Sequence, residues 1–332
     1  MNKPPVSLWT LVARTDVPYM LETIPHQIRA CNYPFVERVL AMDTAPLTGD
    51  KVKRYNTGSQ EELDQACQKL IDYGWIDRIV KIDYDPKLIK QIYTKYFGPE
   101  QAPQMLDHTH NWKGSTVYAS LYCIEQAKSD YYLHFDADMM LYQKPGNDWI
   151  SDAIKLQDSV PEIATVRPRC GPPHPENKGF QPNPYEVDPR GFWAHKFFSM
   201  RAYFVSRERF AELSPIPLSW YHPPLASRYL PTRFLQRVGR KIENKIRGKN
   251  GPVKGAIASF EPMTSERRRI SKYVRADLDS MDAWTIHPAN HSPEFINSLP
   301  RLIKLIENGE FPDDQAGYYD LKLDVWQDML NG

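Results

Sequence analysis

Little in this sequence points to a membrane span, a disulfide framework or a polyionic partner. No apolar run approaches the roughly 20 residues that a spanning helix needs. The four cysteines, Cys31, Cys67, Cys123 and Cys170, are widely separated, which is not metal-ligand spacing and leaves buried, reduced thiols as the expectation. A formal net charge of +1 supplies no global pull toward nucleic acid or anionic membrane, so any such preference is local. The N-terminal MNKPPVSLWTLVAR lacks the apolar stretch and small-residue cleavage site of a secretory signal. A cytoplasmic protein without a nucleic-acid partner is therefore expected.

What is present reads as a globular core. With 41% hydrophobic and 25% charged residues in a chain of 332, one large domain or two small ones are expected. The first half alternates. VSLWTLVAR (6–14) has strand length, and a helix-like stretch follows from Pro18 to about Ala30. FVERVLAMD (35–43) is a second strand, followed by a helix announced by Ser59 and Glu62 at capping-box spacing. Leu63, Ala66, Cys67, Leu70 and Ile71 recur on one face of it. A strand at 76–83 and helices at 86–96 and 115–128 lead to a strand at 131. Such alternation implies a mostly parallel sheet with helices on both faces. Ligands then bind beyond the carboxyl ends of the strands. Prolines concentrate in 161–231, and a long irregular loop separates strands at 162–168 and 197–206. GAIASFEPM (255–263) reads as a strand running into a helix, and Trp284-Thr-Ile-His287-Pro288 ends another. Ser292 and Pro293 open a last helix to about Asn308.

Residues 131–142 read YYLHFDADMMLY. Asp136 and Asp138 stand one alanine apart in an apolar run, where an isolated charge is costly unless paired or metal-bound. Side chains two apart on a strand point the same way, so both can meet one ligand past the small Ala137. Hard oxygen donors at a solvent-reached strand end suit Mg2+ or Mn2+, with positions left open for substrate phosphates. A divalent ion on a diphosphate stabilises the charge that builds as it leaves. The plainer reading is a pair of loop aspartates capping the next element. Position favours the metal, because Thr15-Asp16 and Asp43 fall on the same sheet edge.

Three segments, in order over residues 6–140, carry a resemblance. LVARTDVPYMLETI is a first strand entering the polar-acidic turn Thr15-Asp16. The second strand ends in Asp43-Thr44, and Asn111-Trp112-Lys113-Gly114 opens the helix before the DxD strand. Together they resemble a nucleotide-sugar glycosyltransferase of the GT-A fold, nearest to family 2. The resemblance implies a GT-A-like (Rossmann-like) α/β fold with a mostly parallel central sheet flanked by helices. Residues 1–140 would be the nucleotide-sugar-binding half, 141–290 the acceptor-binding half and 291–332 a C-terminal helical extension. It implies donor contacts by Thr15, Asp16, Asp43, Lys113 and Gly114, with UDP-sugars as the first donor class. It further implies Mn2+ or Mg2+ on Asp136 and Asp138, completed by a late-strand histidine, His287, with His291 in reserve. Imidazole beside carboxylates tilts that choice toward Mn2+. Glu261 stands where inverting relatives place a catalytic acid, and it could deprotonate a sugar or lipid-linked acceptor hydroxyl; the bland alternative is a helix-start cap. The family 2 Gln-x-x-Arg-Trp signature is absent, so the stereochemistry stays open.

Other features have two readings each. Of Arg267, Arg268 and Arg269, which point different ways on a helix, one or two could reach a diphosphate while the rest are solvated. Trp193, His195 and Phe197-Phe198 could stack on an acceptor sugar or simply fill a core. The segment 232–254 carries Arg233, Arg237, Arg240, Lys241, Lys245, Arg247, Lys249 and Lys254 against one acid, Glu243. Phe234, Val238, Ile242 and Ile246 recur every four residues along it, which permits an interfacial helix drawn to anionic lipid or a phosphorylated acceptor. A solvated basic face above an ordinary core stripe gives the same pattern. Rival functions are a nucleotidyltransferase on a related fold and a basic membrane or nucleic-acid binding module using 232–254. A dehalogenase-like phosphatase with Asp136 as phosphoryl acceptor fits poorly, since Met140 replaces its usual Thr or Val.

Overall fold

Four apolar runs in the first half of the chain become parallel neighbours. The computed structural model describes residues 3–180, 187–221, 229–249 and 256–331. β1 (Val6–Val12) is buried almost throughout, and α1 (Met20–Cys31) ends on Asn32 in the left-handed region at φ 43°. β2 (Glu37–Met42) leads to α2 (Gln60–Asp72). The expected capping box starts α2: the Glu62 amide donates to Ser59 Oγ at 3.1 Å and the Ser59 amide to Glu62 Oε2 at 2.7 Å. β3 (Arg78–Lys81), α3 (Pro86–Phe97), α4 (Tyr118–Gln126) and β4 (Tyr131–Phe135) complete the alternation.

The second half is less regular. β5 (Met140–Gln143), α5 (Trp149–Ser159), β6 (Ile163–Arg167) and β7 (Arg169–Cys170) precede the proline-rich loop, of which 181–186 lie outside the described residues. Then come β8 (Val187–Asp188), β9 (Phe192–His195), β10 (Ala202–Ser206), α6 (Arg207–Ala211) and β11 (Trp220–Tyr221). α7 (Arg233–Lys249), β12 (Ala256–Ile257), α8 (Phe260–Arg269), β13 (Val274–Leu278) and β14 (Ala283–Pro288) follow. α9 (Pro293–Glu307), capped by Ser292, then β15 (Asp320–Leu321) and α10 (Gln327–Asn331) finish the chain.

The α/β class expected from the sequence is the class observed. A nine-stranded sheet runs β3-β2-β1-β4-β10-β6-β13-β9-β8, parallel from β3 to β4. β10 is antiparallel to both β4 and β6. Outside this sheet, β14 pairs antiparallel with β5 and parallel with β7 and β15. Buried Tyr93, Tyr96, Phe97 and Phe260 fill one core cluster, and Phe135, Trp149 and Phe204 a second. A third holds Met20, Leu63, Trp284, Leu302 and Ile306, so α9 packs with α1 and α2. All four cysteines are free and buried.

Some boundaries differ from expectation. The strand expected at 197–206 begins at Ala202, and Lys113-Gly114 lie in a turn four residues before α4 rather than at its start. The strand expected at 255–263 is only Ala256–Ile257, because α8 begins at Phe260. Ser259 takes the N-cap position and Pro262 falls in the first turn, where a missing N–H costs nothing. Trp193 and Phe198 are buried in the core, whereas Phe197 is 43% exposed. The three arginines are not a mostly solvated set. Arg267 donates to the Leu213 and Ser214 carbonyls, Arg268 is fully buried on Thr165 Oγ1 at 2.5 Å, and only Arg269 is exposed, beside Glu266.

Candidate active site

The parallel strands end together at a cleft of about 760 Å3. Asp16, Asp43, Lys113, Asp136, Asp138, Glu261 and His287 all line it. Thr15 and Gly114 do not. Thr15 is buried behind Asp16, donating to its Oδ1 at 3.3 Å. Gly114, at φ +82°, lies against Thr48, whose carbonyl oxygen would be 2.0 Å from an added Cβ. Its small size thus serves a backbone contact within the protein.

The DxD residues leave β4 after Phe135 and form the turn into β5. α1 grips that turn: Gln27 Nε2 donates to the Asp136 and Met139 carbonyls at 2.9 Å each, and Thr23 Oγ1 to the Ala137 carbonyl. The two carboxylates differ. Asp136 has a side chain 43% exposed and sits 3.2 Å from His134 Nε2. Asp138 is buried, with Oδ2 2.8 Å from His291 Nε2 and 3.4 Å from His287 Nε2. Burial alone would raise the Asp138 pKa, but the two imidazoles outweigh it and hold the group well below the usual carboxylate range.

Pairing of β5 with β14 explains this meeting. Ile286 is opposite Met140, so the next residue of β14, His287, arrives at the turn carrying Asp138. Pro288 ends the strand, and the segment before α9 brings His291 back, stacked on Tyr19 with ring centroids 4.9 Å apart. Among the described residues, no three His, Cys, Asp or Glu side chains form a ready metal-ligand group. The donor set nevertheless fits a divalent ion. Asp138 Oδ1 and His287 Nδ1 are buried without a hydrogen-bond partner, and a buried unpaired oxygen is costly unless something meets it.

Around this centre, Asp16 accepts from the Ala13 amide at 2.7 Å and from Tyr19 Oη. Burial raises its pKa, and nearby Lys51 partly offsets that. Asp43, at the end of β2, accepts from Tyr84 Oη at 2.8 Å, His110 Nε2 at 2.9 Å and the Ala45 amide at 3.0 Å. Those bonds overcome the effect of burial and lower its pKa. Lys113 is fixed by Asn111, whose Oδ1 accepts from the Lys113 amide at 2.8 Å. Also lining the cleft, Glu261 occupies the first turn of α8 and accepts from the Met200 amide at 2.8 Å. Its pKa is raised by burial, with Arg201 acting against the rise and Asp136 adding to it.

Sequence reasoning passed over Lys51, Arg54 and Arg201, which line the cleft, and kept His291 only in reserve. Lys51 lies in a short 3-10 turn, Gly49–Lys53, and Arg54 directly follows it, in a stretch of ordinary polar composition, so no local signal marks them.

No protein-family model matches the chain, and no curated protein does. Among solved structures it is similar to GalNAc-T7 with UDP, GalNAc and Mn2+, at 10% identity and a TM-score of 0.48. That match covers 87% of this chain and 44% of the other, so this chain spans less than half of GalNAc-T7. S. aureus TarS 1–349 in complex with UDP-GlcNAc matches at 12% identity and a TM-score of 0.38, over 91% of this chain and 66% of that one. Mannosyltransferase PcManGT from Pyrobaculum calidifontis, in complex with GDP-Man and Mn2+, matches at 12% identity and a TM-score of 0.39, over 82% and 72%. At such identities and TM-scores, the chemistry of those proteins stays with those proteins.

Proposed function

We propose that this chain is a metal-dependent glycosyltransferase, moving a sugar from a nucleoside-diphosphate sugar to a hydroxyl of a sugar, glycolipid or polysaccharide precursor. One observation carries the reading: at the strand-end cleft, Asp138 presents a buried, unpartnered oxygen beside His287 and His291, and the half-buried Glu261 carboxyl lines the same cleft. Residues 1–140 form the donor half, 141–290 the acceptor half and 291–332 a helical extension that supports the first. Asp136, Asp138 and His287 would hold Mn2+ or Mg2+, with His291 as the alternative nitrogen donor. When bound, the ion offsets the charge that builds on the departing diphosphate.

The chain's own groups account for the rest. Asp16, Asp43 and Lys113 meet the nucleotide, Thr15 and Gly114 act by fixing them, and a UDP-sugar is the donor class to test first. Lys51 and Arg54 add positive charge near Asp16 and Tyr19, where phosphate oxygens would lie. Glu261 takes the proton from the acceptor hydroxyl. The acceptor oxygen bonds to the anomeric carbon as the carbon–oxygen bond to the diphosphate breaks, and that electron pair leaves with the diphosphate. The displacement inverts the anomeric centre.

Calorimetry with UDP and Mn2+ tests the reading. Wild type should bind UDP only with the metal, and Asp138→Ala should abolish that dependence while the protein stays folded. UDP and GDP affinity unchanged by Asp138→Ala and by chelator would refute it. A silent His287→Ala would transfer the nitrogen ligand to His291.

A further inference from the structure

α7 is an insertion held at its base. β11 and β12 flank it and pair antiparallel, Trp220 with Ile257 and Tyr221 with Ala256. The base abuts the active site. Trp112, beside Lys113, stacks on Tyr221 at 3.9 Å with planes 7° apart, and Ile257 lies four residues before Glu261. Residues 250–254 of the basic segment lie outside the described residues.

Over its described side chains, which exclude Ile246, the apolar stripe on α7 is not a core stripe. Phe234 is 72% exposed, Ile242 54%, Leu235 41% and Val238 37%. At about 100° per residue these four fall within one arc of roughly a quarter turn, with Arg237 and Lys241 exposed along its edge. A solvated basic helix has no use for an uncovered apolar arc, and leaving one in water is unfavourable. Nucleic acid would engage the cations and leave the apolar arc wet. An anionic bilayer engages both, because phosphate headgroups meet the Lys and Arg while the aliphatic and aromatic side chains enter the acyl boundary.

We infer that α7 is an interfacial membrane anchor that seats the acceptor side of the cleft on an anionic lipid surface. The helix lies in the interface plane, its apolar arc buried. Calling that side the acceptor side rests on the transfer reading proposed above, but membrane binding itself does not, since vesicle binding and donor turnover are read separately.

Sedimentation of the full chain with vesicles tests it. Mixed phosphatidylglycerol–phosphatidylcholine vesicles should carry the protein down, pure phosphatidylcholine should not, and added salt should release it. Arg237→Gln with Lys241→Gln should lower partitioning about 25-fold, at roughly fivefold per basic side chain. Phe234→Ser with Ile242→Ser should abolish it, leaving the melting temperature and UDP binding unchanged, because both side chains are exposed. Equal binding to neutral vesicles would overturn the inference, as would full binding by the serine variant. So would a DNA duplex that binds as tightly as the anionic vesicles and survives the Phe234 and Ile242 changes.

Discussion

Burial works against the ionised form of Glu261. Burial raises its pKa above the ordinary glutamate value, and neither the Met200 amide nor Arg201 fully cancels that rise. A base nearer neutrality accepts a proton more strongly yet remains available at working pH. The same shift has a sign for folding. A raised pKa stabilises the fold below the unfolded value of the group, and that stabilisation disappears as pH climbs through the folded value. The ionised form of Glu261 is therefore held at a cost in stability. Glu261→Gln keeps the shape and the place of the Met200 contact but removes the basicity. Turnover should drop by roughly 10²–10⁴-fold, while UDP affinity stays the same and the melting temperature holds or rises. In wild type, kcat/KM should rise with pH through an acid limb above the ordinary glutamate range. That limb should vanish from the residual activity of the glutamine variant. A limb that persists would assign the proton acceptor elsewhere.

Turns and caps decide how the site is assembled, and they differ in how visible they are in sequence. The turn at 111–114 is one of the less visible. Asn111 Oδ1 accepts from the Lys113 and Ser115 amides at 2.8 and 3.1 Å, and its Nδ2 donates to Ser259 Oγ at 3.0 Å, joining this turn to the start of α8. Gly114 closes it at φ +82°, with the Thr48 carbonyl where a side chain would be. Gly114→Ala meets both a disfavoured backbone conformation, at about 1–3 kcal/mol, and a clash with backbone that has no flexible end to yield. Melting temperature and nucleoside-diphosphate affinity should fall together. Unchanged affinity would show that the turn does not position Lys113 on the donor. By contrast, the Ser59–Glu62 capping box, the Ser292 cap and the strand leading into Asp136 were legible because each signal lies within a few residues. The β5–β14 pairing was not, since it joins segments far apart in the chain and nothing near Asp138 announces His287 or His291. The start of α8 differs from expectation because ASFEPM has both strand-like and cap-like composition, and the Asn111 bond to Ser259 that holds the observed start comes from far along the chain.

Across the whole molecule, the mixed half of the sheet is tied by a buried ionic cluster that also bears on the cleft. Arg167 on β6 donates to Asp277 on β13 at 2.9 and 3.1 Å, and Arg275 donates to the same carboxylate at 2.7 and 3.0 Å. His195 on β9 is 3.5 Å from Asp277, and Arg268 of α8 lies close enough to oppose its protonation. Burial lowers the His195 pKa to about 3, with Asp277 pulling the other way and Arg275, Arg167 and Arg268 reinforcing the fall. The fold thus requires a neutral imidazole where the unfolded chain would carry a charged one at mildly acid pH. A lowered folded pKa gives stability that is complete above the unfolded value near 6.5 and is lost as pH falls toward 3. Fully buried His26 adds to this, its pKa also lowered by burial despite its bond to Glu307. Each such proton contributes a slope of up to about 1.4 kcal/mol per pH unit inside that window. Melting temperature should therefore decline from pH 6.5 downward, and His195→Gln should flatten the decline whatever its effect on the value at neutral pH. An identical slope in the variant would mean that His195 is already protonated in the fold. Because Arg268 and Glu261 share α8, this loosening and the titration of Glu261 as the proposed base should both lower activity in acid, and they should separate in time. Titration of Glu261 reverses at once when pH is restored, whereas activity lost with the cluster returns only as the chain refolds.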